Sequence, residues 1–210
     1  VEKLGLVARR LAVERVLVVT DPAIVQAGLL PRVVGPLVDA GVAATVFEGG
    51  EPEPSFAAVH ACVKEAQKVA AQGLVSVGGG SNTDLAKAAA TLLRHGGTLR
   101  DYLGEEKVPA PILPIIAVST TAGTGSEVSG ASVLADKERN IRGAILSNFL
   151  RPAVALYDPL LTLTCPPKVT ADAGIDALTH AVEAYMAIDY RHKETPDGQF
   201  PYYSGKFPLA

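Results

Sequence analysis

Asp176 and His180 are the side chains whose spacing best suits metal binding. They stand four residues apart in a run of helical periodicity, so both lie on one helix face, and Glu183 follows one turn further along. The surrounding residues are apolar nearly all round, which predicts a buried helix. A buried carboxylate and imidazole need a partner, which a divalent metal ion supplies, but a catalytic metal site has three or more ligands. An Asp–His ion pair or a hydrogen-bonded buried histidine is the structural alternative.

Three glycines at residues 78–80 mark a second place where chemistry is possible. They end a β-branched run and precede a helical pattern, so the turn brings backbone N–H groups and the positive end of a helix dipole together. A diphosphate is the natural ligand there, although the spacing differs from the G-x-G-x-x-G fingerprint. The alternative is a tight turn in which Ser81 caps the helix and Asp84, three residues later, completes a capping box. The two interpretations are compatible.

Two further polar groups follow predicted strands. Asp21 comes at the end of the first strand, where a carboxylate accepts hydrogen bonds from ribose hydroxyls and repels a 2′-phosphate. The alternative is that Asp21 only starts a turn before Pro22. Residues 119–127 form a turn rich in hydroxyl groups, with two glycines, after a later strand. Such a turn suits the binding of phosphate, ribose or carboxamide groups. The alternative is a polar loop that is held by hydrogen bonds of its own side chains.

Strands and helices alternate along the chain and must position these groups. The pattern predicts strands at residues 15–20, 43–47, 73–77 and 112–118, and helices at 2–12, 55–71, 82–93 and within 22–40, where Pro31 and Pro36 are expected to break the helix. This alternation predicts an α/β fold with a mostly parallel sheet. Beyond residue 125 we expect a hairpin of residues 130–136 and 142–145, a strand at 154–157, and a helix from 166 to 186.

The composition excludes several classes of function. Hydrophobic residues make up 48% and charged residues 20% of the 210 residues, which is ordinary for a globular core and excludes disorder. The net charge of −3 gives no basic field for nucleic acid, and no apolar run is long enough to predict a membrane span. Cys62 and Cys165 are too few for a disulfide framework, so we expect a reducing, cytoplasmic compartment. The start at Val1 leads us to expect an incomplete N-terminus.

Four ordered motifs together resemble the iron-containing (group III) alcohol dehydrogenases. The motifs are the glycine turn with Asp84 and Lys87, the turn at 119–127, the pair Asp158-Pro159, and the helix with Asp176, His180, Glu183 and Tyr185. The resemblance covers essentially the whole chain. It implies a Rossmann-like parallel-sheet dinucleotide-binding domain over residues 1–160 and the beginning of an all-helical metal-binding domain over residues 161–210, which we expect to be cut short.

The resemblance also implies roles for single residues. The residues implied to bind NAD are Asp21, Gly79, Gly80, Ser81, Asp84, Thr120, Thr121, Thr124 and Ser129. Asp176 and His180 are implied to be two of four ligands of Fe²⁺, or sometimes Zn²⁺, and the family's other two ligands are histidines beyond residue 210. His192 lies in a polar stretch and is not expected to replace them. Arg142 stands where the family has a cofactor-contacting lysine, so we expect that contact to differ.

The implied activity is hydride transfer between a primary or secondary alcohol, or the corresponding aldehyde, and NAD. The implied partners are this small-molecule substrate and further copies of the chain, in a homodimer or a higher homo-oligomer. One alternative is a hydroxyacid–oxoacid transhydrogenase-like enzyme, because the aromatic-rich residues 189–210 resemble an insertion of that subgroup. Another is a truncated, non-catalytic dinucleotide-binding fragment. A sugar-phosphate lyase of similar fold fits the turn at 119–127 less well.

Overall fold

A parallel sheet of five strands forms the centre of the molecule. The computed structural model describes residues 1–187. The strands of these residues are, in chain order, β1 Arg15–Val19, β2 Ala43–Phe47, β3 Gly73–Gly78, β4 Gly104–Glu105, β5 Ile115–Ser119, β6 Ala131–Asp136, β7 Ile141–Leu146 and β8 Val154–Tyr157. The central sheet has the order β2-β1-β3-β5-β8 with every neighbouring pair parallel. This confirms the predicted α/β fold.

Helices cover both faces of this sheet. They are α1 Leu4–Arg10, α2 Pro22–Gln26, α3 Leu30–Asp39, α4 Phe56–Lys68, α5 Gly80–His95, α6 Leu99–Tyr102 and α7 Pro167–Met186. Successive residues of β1 face opposite sides, so Val16 and Val18 pack with α1 and α3, while Leu17 and Val19 pack with α4 and α5. All residues of β3 and β5 are buried, which explains why these strands are continuous runs of mostly apolar residues.

Pro36 does not break a helix, contrary to the prediction. It lies inside α3, and α2 and α3 are separated instead at Gly28, whose φ is +70°. A proline in a helix interior loses one hydrogen bond and costs about 3 kcal/mol. Here Val33 and Leu37 of the same helix are completely buried in the core, and that burial outweighs the cost. The prediction failed because tertiary packing decided the outcome.

A small second sheet packs against α5. The predicted hairpin is present as β6 and β7, which pair antiparallel, and β4 adds to the β7 edge. The side chain of Ser132 in β6 donates a hydrogen bond to the backbone carbonyl of Asp84 in α5, at 2.8 Å. Leu134 and Ile145 of the hairpin are buried in the same core as α5. The hairpin therefore fixes the position of α5 on the side away from the central sheet.

Helix α7 is less covered than the sequence suggested. The prediction of a helix to residue 186 is confirmed, but none of its residues is buried, so the prediction of a buried helix is wrong within residues 1–187. The backbone of Gly123 packs closely against Ala173 of α7, since a Cβ added to Gly123 would lie 2.3 Å from the carbonyl oxygen of Ala173. The apolar side chains left exposed on α7 are Val169, Ile175, Leu178, Val182, Tyr185 and Met186.

In the described part of the chain, no helix combines the length and apolar character that crossing a bilayer requires. Residues 189–210, with their aromatic side chains, and His192 lie outside the described residues.

Candidate functional site

The order of the central sheet predicts where a ligand binds. The chain leaves β1 toward β2 on one side and returns to β3 on the other, so the strand order reverses beside β1. Open α/β sheets bind ligands at the carboxyl ends of the strands next to such a reversal. A cleft of about 480 Å³ lies there, and Asp21, Gly80 and Thr121 are among its lining residues. We call this cavity the sheet-edge cleft.

The N-terminus of α5 opens into this cleft without a side-chain cap. The alternative interpretation, in which Ser81 caps the helix, is wrong, because the helix begins at Gly80 with Gly79 at the N-cap position, where no side chain satisfies the first-turn N–H groups. Gly78 has a φ of +141°, which favours glycine. A Cβ on Gly80 would meet Thr124 Oγ1 at 2.7 Å, so a glycine is needed for Thr124 to pack against the start of the helix. Bare amides at the positive end of a helix dipole suit a phosphate.

Asp21 has a structural role that the sequence also suggested. Its Oδ1 accepts hydrogen bonds from the backbone N–H groups of Ala23 and Ile24, at 2.8 and 3.1 Å, and so caps α2. Its Oδ2 accepts a hydrogen bond from the Asn82 side chain at 2.6 Å, which ties it to the first turn of α5. A carboxylate offers about four lone-pair sites, so these three bonds leave it capacity to accept a further hydrogen bond from a ligand.

Two buried polar atoms near the cleft have no partner within residues 1–187. They are the hydroxyl oxygen of Thr121 and the side-chain oxygen of Asn82. Thr121 lies on the cleft wall opposite Gly79, whose added Cβ would be 3.4 Å from that hydroxyl oxygen. An unpaired buried hydroxyl costs about 1–3 kcal/mol, which a polar ligand in the cleft would recover. Thr120 is buried, and its backbone N–H bonds the carbonyl oxygen of Gly78 at 3.0 Å.

The groups around the sheet-edge cleft fit a dinucleotide. Its lining offers bare amides for a diphosphate and the Asp21 carboxylate for ribose hydroxyls. The lining also includes the apolar side chains of Ile24, Leu29 and Leu161, which suit a flat ring. The unpaired hydroxyl of Thr121 adds a further polar contact.

A second cleft, of about 800 Å³, separates the start of α5 and the turn at 124–131 from α7. We call it the helix-side cleft, and its lining includes Asp176, His180, Glu183 and Arg151. The shared helix face predicted for Asp176 and His180 is present: Asp176 Oδ1 lies 3.9 Å from His180 Nε2, with the side chains 43% and 54% exposed. Among the described residues, no group of three His, Cys, Asp or Glu side chains comes together to hold a metal. These residues supply two donors, fewer than a metal centre needs.

Asp84 and Lys87 of α5 are bonded to the turn at residues 124–131, and Asp84 also lines the helix-side cleft. The carboxylate of Asp84 accepts hydrogen bonds from the Ser126 hydroxyl at 2.5 Å and from the Val133 backbone N–H at 3.0 Å. Burial raises the pKa of Asp84 against the opposing effect of Lys87, and burial lowers the pKa of Lys87 to about 8. The ammonium group donates to both the hydroxyl and the carbonyl oxygen of Ser129.

The sequence contained a sign of this role for Lys87 that our site prediction did not use. Lys87 interrupts the small apolar residues Ala86 and Ala88–Ala90 in a helix without a broad polar face. A charged residue at such a position has to find partners inside the protein.

Two other predicted residues are placed as follows. Thr124 contacts Gly80 and accepts a hydrogen bond from the Ser126 N–H at 3.3 Å. Arg142 is exposed on β7 and forms an ion pair with Glu53.

The fold and the two clefts define an α/β protein of the Rossmann-like type, with a ligand cleft at the carboxyl edge of its sheet. The chain belongs to the iron-containing alcohol dehydrogenase family, whose model matches residues 1–159. This confirms the resemblance inferred from the four motifs.

Several relatives share most of this chain. An NAD-dependent methanol dehydrogenase of Bacillus methanolicus is 35% identical over 187 residues, which are 89% of this chain and 49% of that protein. Alcohol dehydrogenase 4 of Saccharomyces cerevisiae strain YJM789 is 40% identical over 83% of this chain and 46% of that protein. This chain therefore spans about half the length of these relatives.

Solved structures agree with this assignment. A 1,3-propanediol oxidoreductase superposes with a TM-score of 0.87 at 37% identity, covering 90% of this chain and 49% of that one. A sulfoacetaldehyde reductase from Bifidobacterium kashiwanohense, in complex with NAD⁺, superposes with a TM-score of 0.82 at 35% identity, covering 92% of this chain and 50% of that one.

Proposed function

We propose that the chain is the NAD-binding part of a metal-dependent alcohol dehydrogenase, which transfers hydride between an alcohol or aldehyde and the nicotinamide. One observation carries the cofactor assignment: the uncapped N-terminus of α5 opens into the sheet-edge cleft opposite the unpaired hydroxyl of Thr121. The NAD⁺ complex of the sulfoacetaldehyde reductase supports it. The first-turn amides at Gly80 and Ser81 would hold the diphosphate, and Asp21 the adenosine ribose.

The remaining predicted contacts complete this proposal. Thr120, Thr121 and Thr124 would orient the nicotinamide end from the turn that follows β5. Asp84 and Ser129, which line the helix-side cleft, would also contact the nicotinamide end of the cofactor.

We propose further that Asp176 and His180 are two ligands of an Fe²⁺ or Zn²⁺ ion, and that residues 161–210, which include α7, are the beginning of a helical metal-binding domain. When bound, such an ion supplies Lewis-acid polarisation of the substrate oxygen. Both side chains face the helix-side cleft, where Ser81 and Thr124 also line the wall. A substrate there would lie between the metal-binding side chains and the nicotinamide end of the cofactor. Glu183, one turn beyond His180, would support its neighbours without binding the ion itself.

NADH titration of two matched glycine variants tests the cofactor assignment. Gly80→Ala places a methyl group 2.7 Å from Thr124 Oγ1 at the mouth of the α5 N-terminus, whereas Gly35→Ala in α3 places one in open space. We expect Gly80→Ala to raise the Kd for NADH about tenfold, because the Thr124 side chain or the start of α5 must shift to admit the methyl group. Gly35→Ala should leave the Kd within about twofold of wild type, since it touches nothing. Equal affinity in all three proteins would refute the assignment.

A histidine variant tests the metal assignment separately. In an enzyme that carries a complete set of metal ligands, His180→Ala should abolish metal-dependent turnover and leave NADH affinity nearly unchanged, because His180 lines the helix-side cleft and not the sheet-edge cleft. Unchanged turnover would disprove the ligand role. Metal analysis and intact mass of the same sample separate this enzyme from a non-catalytic dinucleotide-binding fragment.

A second candidate, a hydroxyacid–oxoacid transhydrogenase, is favoured by Arg151. Its guanidinium group lines the helix-side cleft with Asp176 and His180, and donates to Asn148 Oδ1 at 3.1 Å and to the Val128 carbonyl oxygen at 2.6 Å. These two bonds occupy Nε and Nη1 and leave Nη2 for a substrate carboxylate.

Turnover of a 4-carbon hydroxyacid on addition of a 2-oxoacid, without free NAD, would support this candidate. Arg151→Met should then raise KM for the acid about tenfold and leave KM for a neutral alcohol unchanged, since only the acid needs a cation. An equal effect on both substrates would exclude Arg151 as the carboxylate contact.

A further inference from the structure

Lys87 lies in the middle of α5, and its side chain is completely buried. Its neighbours Ala86 and Ala88 are also buried, so an ammonium group enters an apolar stretch of small residues. Removing an ammonium group from water is costly unless hydrogen bonds replace its hydration. A lysine at this position therefore depends on acceptors inside the protein.

The acceptors come from residues 126–131, which end at the first residue of β6 and which we call the lysine turn. Nζ of Lys87 lies 2.7 Å from the carbonyl oxygen of Ala131 and 2.9 Å from that of Ser129. It also lies 3.1 Å from the Ser126 hydroxyl and 3.2 Å from the Ser129 hydroxyl. The three N–H donors of one side chain thus reach two carbonyls and two hydroxyls of a segment that leads into β6.

Asp84 holds the same segment from the preceding turn of α5. Its carboxylate accepts from the Ser126 hydroxyl and from the Val133 N–H, and it lies 3.9 Å from Nζ of Lys87. The Ser126 hydroxyl donates a hydrogen bond to Asp84 and accepts one from Lys87, so both charged groups bind the lysine turn at the same residue. Replacing Lys87 by an apolar residue would leave Asp84 buried without its counter-charge and two carbonyls without their donor.

The lysine turn is connected to the cofactor cleft through Thr124. The N–H of Ser126 donates to Thr124 Oγ1, and Thr124 in turn packs against the bare backbone of Gly80. Displacement of the lysine turn would therefore move Thr124 away from Gly80. Gly80 lies at the start of α5, where we propose that the diphosphate binds. Lys87 lines neither cleft itself.

We propose that Lys87 is a positioning residue, whose buried ammonium group holds the lysine turn in the arrangement that sets Thr124 against Gly80 and so shapes the cofactor site. The cofactor part of this inference rests on the proposed function. The part about the lysine turn is independent of the proposed function, because it follows from contacts within the protein alone.

The test compares Lys87→Met with Thr91→Val in the whole chain. Methionine retains the length of the side chain and removes the charge. Thr91 is equally buried, one turn further along α5, and its hydroxyl bonds only the backbone of its own helix. The rate of amide hydrogen exchange in residues 126–131, measured without cofactor, reports how firmly the lysine turn is held. NADH titration gives the Kd and so reports the effect on the cofactor cleft.

We expect Lys87→Met to accelerate exchange in the lysine turn at least about tenfold and to raise the Kd for NADH about tenfold, because charged hydrogen bonds are lost. Thr91→Val should change both by less than about twofold, since it removes one neutral bond. Should Lys87→Met fail to fold, Lys87→Gln, which retains two N–H donors without the charge, is expected to show smaller changes in the same direction.

Unchanged exchange in the lysine turn would overturn the inference, as would faster exchange with an unchanged Kd. Equal effects of Lys87→Met and Thr91→Val would show general destabilisation and overturn it as well. If wild type does not bind NADH, the proposed function fails, and the exchange experiment alone decides whether Lys87 holds the turn.

Discussion

Asp21 shows how one side chain can serve the fold and a ligand together. It caps α2 through Oδ1 and bonds Asn82 at the start of α5 through Oδ2. These bonds fix the carboxylate at the carboxyl end of β1, beside the cleft. A carboxylate fixed there would accept hydrogen bonds from ribose hydroxyls, and its negative charge would repel the 2′-phosphate of NADP.

Asp21→Asn tests this assignment of charge. Asparagine also caps helices, so α2 should remain intact, while the charge that opposes a 2′-phosphate is removed. We expect the ratio of the Kd values for NADPH and NADH to fall about tenfold, because a charge–charge repulsion at a partly exposed site is worth about 1 kcal/mol or slightly more. Fluorescence titrations with the two cofactors measure the ratio. An unchanged ratio would place the adenosine ribose elsewhere.

Lys87 makes the stability of the protein depend on pH in a defined way. Burial lowers its pKa to about 8, with Asp84 and Glu127 opposing the shift and Arg151 adding to it. The pKa of an unfolded lysine is about 10.4, so between these two pKa values the unfolded chain holds more protons than the folded one. The contribution of this group to the free energy of unfolding therefore rises with pH across that window.

Lys87→Met lacks this titration and serves as the reference. The free energy of unfolding of wild type minus that of Lys87→Met should be larger at pH 10 than at pH 7 by about 2 kcal/mol. Urea unfolding at both values, under identical salt, gives the difference. A difference that stays constant or shrinks would mean that the ammonium group is not destabilised by burial.

At the scale of elements, the sequence predicted the strands better than the ends of the helices. The bounds of β2 and β8 match the prediction residue for residue, because both short runs are followed by clear turn residues, Glu48-Gly49-Gly50 and Asp158-Pro159. The start of α5 was misplaced because Ser81 looks like a capping residue, although the glycine turn leads directly into helix. The contact between Lys87 and the lysine turn could not be predicted, since it joins residues about 40 positions apart through an irregular segment.

The packing of α1 against α3 gives a prediction at this scale. The two helices meet where Gly5 lies over Pro36, and a Cβ on Gly5 would stand 2.1 Å from the Pro36 carbonyl oxygen. Because the obstacle is backbone, the helices would have to separate. We expect Gly5→Ala to lower the free energy of unfolding by about 1–3 kcal/mol in urea denaturation. Gly35→Ala is the control and should be neutral or slightly stabilising, so a similar loss in both variants would contradict this account.

At the scale of the whole molecule, burial is unevenly distributed. Strands β3 and β5 are completely buried between two layers of helices, whereas α7 has no buried residue within the described chain. The likeness to relatives covers about half of their length, and Asp176 and His180 stand on this least covered element. The α/β part thus contains the groups proposed to bind the cofactor, and α7 supplies only two of the proposed metal donors.

Hydrogen exchange of the 210-residue chain should reflect this division. We expect amides of β3 and β5 to exchange only through global unfolding, and amides of α7 to exchange at least about a hundredfold faster, because little apolar contact opposes local opening. Saturating NADH should slow exchange at the start of α5 and in the turn after β5 and leave the C-terminal half of α7 unchanged, since a ligand stabilises the regions whose opening releases it. Protection of α7 equal to that of β3 would show that the helix is covered in solution. Slower exchange along all of α7 with NADH would mean that the cofactor couples the two parts without a metal.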